Sequence, residues 1–556
     1  MKKMTHICTV LLAMVMTAGL ISGCAAPAAL ETNDTGTYTS NSMVAEQPAA
    51  CQEESAYPSE EADGWYDSYF DTPYEPAPKL DTGTEEYGSF EENKYYSPLD
   101  QPLSTFSIDV DTASYSQIRR YLNEGSLPPT DAMRIEECIN YFSYNYAAPG
   151  GPEPVNVGIT ISDCPWNEGR YLARITLKAA ELDLSEAPDS NLVFLLDVSG
   201  SMIEPNKLPL VKTAMSMLAD NLSDNDRVSI VVYAGASGVV LDSCRGTDNA
   251  LINCALDQLS AGGSTAGGEG IALAYAMAEK NFIQGGNNRV ILCTDGDFNV
   301  GPSSTNELES LIESKRDSGI YLSVLGFGTG NTKDNKMETL ADKGNGNYAY
   351  IDSLMEAKKV LVNEISATLF TVAKDVKVQV EFNPDAIKEY RLIGYDNRVM
   401  AAEDFNNDKK DAGEMGAGHC VTAFYELIPV NSSDTGQSVD DLVFQDKAEP
   451  APSSAAKAPA DDWLYVKFRY KQPDSEKSQL ITKMAGTANF MAKPDNDFVF
   501  ASAVAEFALV LKDSNYQGTA SLRNVIERAK VSRGADEDGY RAQFIQLAEL
   551  AYTFFR

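Results

Sequence analysis

Between residues 190 and 366, largely apolar runs alternate with helices that are apolar on one face. The runs are Leu192–Leu196, Val228–Tyr233, Gly238–Leu241, Arg289–Thr294, Tyr321–Phe327 and Tyr348–Ile351. Val211, Ala214, Met215 and Leu218 share one face of an intervening helix, and Ile271, Tyr275, Ala278 and Phe282 share one face of another. A strand without a polar face must be covered on both sides, and crossover helices between parallel strands do this. The pattern therefore predicts a doubly wound, mostly parallel α/β sheet. Such sheets bind ligands beyond the carboxyl ends of their strands. There the sequence places Asp197-Val198-Ser199-Gly200-Ser201 after one run and Thr294-Asp295-Gly296-Asp297 after another, with Gly262-Gly263-Ser264-Thr265 between them. Two carboxylates and three hydroxyls form a set of hard oxygen donors suited to a small divalent cation. The competing reading is that Asp197 and Asp295 only cap turns or helices, as Asp often does.

In this order and in this βα context, Asp197-x-Ser199-x-Ser201, Thr265 and Asp295 resemble the metal-ion-dependent adhesion site of von Willebrand factor type A (VWA) domains. The resemblance implies a Rossmann-like α/β domain holding Mg2+ or Mn2+ at the top of its sheet. It implies Ser199 and Ser201 as hydroxyl ligands and Thr265 as a direct or water-mediated one. Asp197 and Asp295 would act mostly through water or as anchors. Neutral hydroxyls leave the cation under-compensated, so an Asp or Glu carboxylate from a partner protein can take the remaining position. This describes a binding module and not an enzyme, since no general base is visible beside the site. Asp297 is read as shaping the turn before Gly301, and Glu269 as a helix-start carboxylate. The resemblance extends to both flanks. Ser104 to Tyr115, Leu127-Pro128-Pro129 and Glu136 to Phe142 look like the region preceding the domain in a bacterial envelope family of VWA proteins. Tyr516-Gln517-Gly518 and the helices after it look like that family's C-terminal region.

At the N-terminus, Lys2 and Lys3 precede an apolar run, Val10 to Ile21, and Ile21-Ser22-Gly23-Cys24 resembles a bacterial lipobox. The resemblance implies cleavage before Cys24, lipid on that residue, and localisation in the cell envelope on the extracytoplasmic side of a membrane. An ordinary signal peptide cut near Ala25 or Ala26 and a membrane anchor remain alternatives, although the run is short for a span. Residues 24–100 read as a disordered acidic tether, with Tyr66, Tyr69, Tyr74, Tyr87, Tyr95 and Tyr96 in a solvated spacer or a recognition patch. The formal net charge of −36 argues against nucleic acid and against adsorption to anionic lipid by charge. The chain has two histidines, His6 in the leader and His419, so Ser-His-Asp chemistry could use only His419. No Cys pair has the spacing of a metal knuckle, Cys293 reads as a small core residue, and Cys244 and Cys254 are a candidate disulfide.

The flanks of the α/β segment differ from it. Val155–Ile161 and Tyr171–Leu177 alternate as a hairpin, and Val376–Phe382, Tyr390–Gly394, Cys420–Leu427 and Trp463–Tyr470 read as further strands. Pairing these across the α/β segment would make one sandwich with the α/β domain inserted. The expected organisation is a signal peptide at 1–23, the tether at 24–100, and a VWA-associated region at 101–185. A VWA domain at 186–367, a β-rich region at 368–475 and a helical region at 476–556 follow. Phe106–Asp111 reads as a strand, Ser114–Asn123 and Asp131–Phe142 as helices, and Ala448–Asp462 as an exposed loop. Two other functions compete: a structural envelope protein whose metal only stabilises it, and a phosphatase using Asp109 of Asp109-Val110-Asp111-Thr112 as nucleophile.

Overall fold

The computed structural model describes residues 85–182, 187–234, 237–263, 267–296, 305–329, 333–408, 410, 412–434, 436, 461–473 and 475–555. Outside them lie the leader with His6 and Cys24, Cys51, the tether to residue 84 with Tyr66, Tyr69 and Tyr74, Thr265, Asp297 and the loop at 448–460. The first elements are β1 (Leu103–Ser107), α1 (Ala113–Asn123), α2 (Ile135–Asn140), β2 (Val155–Asp163) and β3 (Tyr171–Ala179). Next come β4 (Ser190–Asp197), α3 (Leu208–Ala219), β5 (Arg227–Tyr233), β6 (Ser237–Arg245), α4 (Asn249–Asp257), α5 (Gly267–Lys280) and β7 (Asn287–Thr294). They are followed by α6 (Thr305–Asp317), β8 (Ile320–Phe327), α7 (Asp334–Lys343), β9 (Tyr348–Ile351), α8 (Leu354–Lys358) and α9 (Ile365–Leu369). The chain returns to β10 (Thr371–Phe382), β11 (Ile387–Ile393), β12 (Val399–Met400), β13 (Met415–Gly416), β14 (Cys420–Pro429), β15 (Asp462–Lys471) and β16 (Ser478–Gly486). It ends with α10 (Asn496–Leu511), α11 (Leu522–Ser532) and α12 (Tyr540–Phe554). Among the described residues no helix is long and apolar enough to cross a membrane.

The central sheet has the order β6-β5-β4-β7-β8-β9, parallel throughout except where β6 runs antiparallel to β5. Every residue of β4 and β7 is buried, as expected for strands covered on both faces. One core, with Phe194, Leu196, Val211, Met215 and Ile291, lies on one side, and a second, with Val193, Leu195, Tyr275, Val290 and Leu292, on the other. Gly270 lets α5 sit close to the sheet: a Cβ there would lie 2.7 Å from that of Tyr233.

The flanking strands form two antiparallel sheets packed face to face, as the strand pattern predicts. One is β11-β14-β3-β2, and the other is β12-β1-β10-β15-β16 with β13 beside β10. Their shared core includes Ile161, Ile175, Val378, Val380, Val421, Tyr425 and Val466, with Phe382 stacked on Tyr390 at 3.7 Å. The α/β part is inserted between β3 and β10. The turn at Gly416–His419 ties both crossings together. Ala417 N–H donates to the Phe370 carbonyl at 2.8 Å, Gly418 N–H to the Ala180 carbonyl at 2.8 Å, and Ala179 N–H to the His419 carbonyl at 2.9 Å. The C-terminal helices close over α1 and α2 through an aromatic cluster, Phe142–Phe500 at 5.1 Å and Phe500–Phe544 at 5.4 Å.

Four local expectations change. Residues 85–100 are not a spacer: Tyr95 is buried against Tyr516 at 5.6 Å, Tyr96 bridges Tyr390, and Arg120 pairs with Glu85 at 2.8 Å. Aromatic rings give this stretch the apolar area that its acidic composition hid. The strand expected over 106–111 stops at Ser107, because Asp109 turns to Arg398 at 3.2 Å and Asp111 accepts the Tyr348 N–H at 3.0 Å. The helix expected over 131–142 is broken at Met133-Arg134. The Ser114 hydroxyl, which donates to the Ala132 carbonyl at 2.6 Å and accepts from Arg134 N–H at 3.0 Å, takes backbone groups a helix would use. Finally, β16 extends the sandwich past residue 475, so the helical region begins at Asn496 and not at 476.

Candidate metal centre

In the order 3-2-1-4-5-6, the strand direction of winding reverses between the first and fourth strands, here β4 and β7. These two lie side by side in register, with Leu196 opposite Cys293. Asp197 ends β4 and Asp295 follows β7 directly, so the fold delivers both carboxylates to one point on the carboxyl edge. Both are buried. Burial pushes the Asp197 carboxyl above its ordinary range, the neighbouring Asp295 charge adds to this, and hydrogen bonds from Ser199 and Tyr233 oppose it.

The backbone after Asp197 curls so that Ser199 N–H donates to Asp197 Oδ1 at 2.8 Å. Ser199 and Ser201 bring their hydroxyls within 3.0 Å of each other. The glycine-rich loop meets this curl, with Gly262 N–H donating to the Val198 carbonyl at 2.7 Å and Gly200 N–H to the Gly263 carbonyl at 3.1 Å. Asp197, Ser199, Ser201 and Asp295 thus share the sheet edge, while Thr265 lies outside the described residues two positions beyond Gly263. Glu269 stands in the first turn of α5, as expected.

Three further described residues adjoin these carboxylates. Tyr233 OH donates to Asp197 Oδ2 at 3.1 Å, and Thr294 Oγ1 lies 3.4 Å from the same oxygen. Lys207 Nζ donates to Asp295 Oδ2 at 3.0 Å, with both side chains buried. Tyr233 and Thr294 were visible as the last residues of apolar runs facing the same edge. Lys207 carried no signal, because in sequence it is one more polar residue before the helix α3.

Among the described residues no three His, Cys, Asp or Glu side chains are grouped to hold an ion. A fit to a metal therefore rests on the hydroxyl pair together with Asp197 and Asp295. That donor set is all oxygen, as Mg2+ or Mn2+ requires.

The remaining candidates have other surroundings. Asp109 shares Arg398 with Asp111, Glu338 and Asp342. His419 sits in the turn joining the chain crossings, where burial, with Lys359 and Lys178 nearby, pushes its pKa down to about 4. Cys244 and Cys254 are both free thiols, so the candidate disulfide is not formed, and Cys293 is buried in the core.

Residues 191–364 match the von Willebrand factor type A domain family, residues 81–174 a von Willebrand factor family, and residues 367–554 the family described as "Uncharacterized protein YfbK, C-terminal". "Uncharacterized protein YfbK" of Escherichia coli K12 is 44% identical over 476 residues, covering 84% of this chain and 81% of that protein. "Uncharacterized protein sll0103" of Synechocystis is 31% identical over 184 residues, covering 33% of this chain and 43% of its own length. Among solved structures, a von Willebrand factor type A protein from Catenulispora acidiphila is 17% identical. It covers 71% of this chain and 89% of its own, with a TM-score of 0.36.

Proposed function

This chain belongs to the VWA-containing family of Escherichia coli YfbK, and we propose that it is a membrane-tethered, divalent-metal-dependent protein-binding module of the cell envelope. VWA-domain proteins are in general adhesion or protein-interaction modules. The finer reading is carried by one observation: the paired hydroxyls of Ser199 and Ser201 stand beside two buried carboxylates at the switch point of the sheet. Ser199 and Ser201 would hold Mg2+ or Mn2+, Thr265 directly or through water, and Asp197 and Asp295 mostly through water or as anchors. When bound, the ion supplies a Lewis-acidic position for a carboxylate of the partner. Asp197 orients the Ser199 backbone, and Tyr233 fixes the Asp197 carboxylate. Lipid on Cys24 would tether the protein to the extracytoplasmic face of a membrane. The protein acts in this reading by binding and not by catalysis. The Asp109 carboxylate, nucleophile of the competing phosphatase reading, is instead engaged by Arg398.

The test is calorimetric titration of the full chain with Mn2+, for wild type and Asp197→Ala, followed by chelation of a captured envelope partner. Uptake by wild type alone, and release of the partner without melting, are expected. Release that coincides with melting favours a purely structural metal. No uptake by wild type overturns metal dependence.

A further inference from the structure

We propose that Lys207 is a resident counter-cation of the candidate centre, holding the charge of Asp295 in the metal-free protein and limiting how tightly a divalent ion can bind. The inference rests on the reading of the site as a metal centre and goes beyond it by assigning how its affinity is set.

Lys207 is built into place. Its side chain is 5% exposed and its ammonium lies 3.0 Å from Oδ2 of Asp295, a side chain with no exposed surface. The aliphatic stem lies along Gly328, which follows β8 and adopts a φ of +75°. A Cβ on Gly328 would come within 2.3 Å of the lysine Cε and 2.4 Å of its Cγ. The position therefore needs glycine twice, for its backbone angle and for the room it leaves. Tyr350 OH donates to the Gly328 carbonyl at 2.5 Å and fixes that cradle.

The charges explain the arrangement. Asp197 and Asp295 are buried together, and without a nearby cation their two negative charges would repel each other in a medium that screens poorly. One ammonium removes half of that charge without a metal. Two consequences follow. The protein needs no ion to fold, as a site that binds and releases a partner requires. An arriving divalent ion meets about one net negative charge, so it binds weakly and retains attraction for an acid from outside.

The experiment compares wild type, Lys207→Met and Lys207→Arg by Mn2+ calorimetry and by thermal melting with and without Mn2+. Lys207→Met keeps most of the stem and removes the charge. It should bind Mn2+ tighter by roughly tenfold or more. It should melt lower than wild type without metal and recover with saturating Mn2+. Lys207→Arg, which keeps the charge, should bind within about threefold of wild type. A lysine that only braces the fold would lower melting equally with and without Mn2+ and leave affinity unchanged or weaker; that result overturns the proposal. Uptake by Lys207→Met but not by wild type supports the counter-cation and removes metal dependence from the native protein. Uptake by neither overturns the metal reading and this inference with it.

Discussion

Replacing Asp197 separates the role proposed for this residue at the metal from its structural one. The side chain has no exposed surface and accepts from Ser199 N–H at 2.8 Å and from Tyr233 OH at 3.1 Å. In Asp197→Ala the Ser199 N–H loses its acceptor, whereas Tyr233 OH keeps the Thr294 hydroxyl beside it. A buried unpaired donor costs about 1–3 kcal/mol, and the hydrogen bond that Tyr233 gives up adds about 1 kcal/mol, about 2–4 kcal/mol together. Removing a carboxylate that burial already disfavours holds the loss toward the lower half of that range. In Asp197→Asn the carbonyl oxygen still accepts from Ser199, and Tyr233 can turn to accept from the amide, so the expected loss is below about 1.5 kcal/mol. Both variants remove the charge and should weaken Mn2+ binding by at least about 10–100-fold, the range seen when a group supporting a metal ligand is lost. Urea unfolding reads the first quantity and calorimetry the second. Asp197→Asn that is folded and still binds Mn2+ like wild type refutes the role assigned to this carboxylate. Equal destabilisation by Asn and Ala refutes the hydrogen-bond account.

Other predictions concern parts of the chain away from the site. Deleting residues 1–97 should lower the melting temperature below that of a chain lacking only residues 1–84, since Glu85, Tyr95 and Tyr96 are packed on the fold. Tyr95→Ala alone should cost about 3 kcal/mol in urea unfolding, since Tyr95 is 3% exposed and packs on Tyr516. His419 has its folded pKa depressed to about 4, so the fold favours its neutral form. Its contribution to stability is therefore present above the ordinary histidine value near 6.5 and is lost as pH falls from there toward about 4. Its imidazole NMR signals should show no titration between pH 7 and 5, and His419→Gln should be less destabilised than wild type over the acidic range; titration near pH 6.5 in the folded protein refutes this. Cys24→Ala should move the protein from the membrane to the soluble fraction, and persistent membrane association contradicts the lipid anchor.

The α/β part was legible because its signals are local and mutually consistent. Apolar runs such as Leu192–Leu196 have only one way to be satisfied, and the polar residues that follow them must lie at the sheet edge. The sandwich was legible as alternation, although only the structure gives its register, such as Val421 beside Leu177. What the sequence hid depends on long-range partners. The stretch 85–97 looks like a tether by charge, yet its rings find Tyr516 and Tyr390 hundreds of residues away. β16 was missed because its neighbour β15 supplies one edge and the exposed residues Leu480 and Met484 blur its alternation. At the candidate centre, the two aspartates were readable from the strands before them. Lys207 was not, since its importance lies in a contact with Asp295 88 residues on.

An inserted domain joined by two chain crossings has, in principle, a hinge. Here the crossings meet on one turn, and buried arginines bridge the insertion to its surroundings at several points. Arg119 of α1 reaches Glu356 of α8 at 2.7 Å and also pairs with Asp352. Arg134 reaches Asp334 of α7 at 3.2 Å, and Arg398, in the turn before β12, pairs with Glu338 and Asp342 of the same helix. Each guanidinium is largely withdrawn from water and shared by two or more carboxylates, so truncating the arginine strands buried charges, at a cost of about 3–5 kcal/mol. Such pairs add little net stability over apolar packing, but they are sensitive to geometry and so specify one relative orientation. The acid excess of the chain is consistent with this use: carboxylates outnumber Lys and Arg by 81 to 45, and Arg398 alone gathers four of them. The sheet edge carrying Asp197 and Asp295 is therefore presented by a braced unit, so that in the proposed reading a partner held at that edge would pull against the sandwich and the C-terminal helices together.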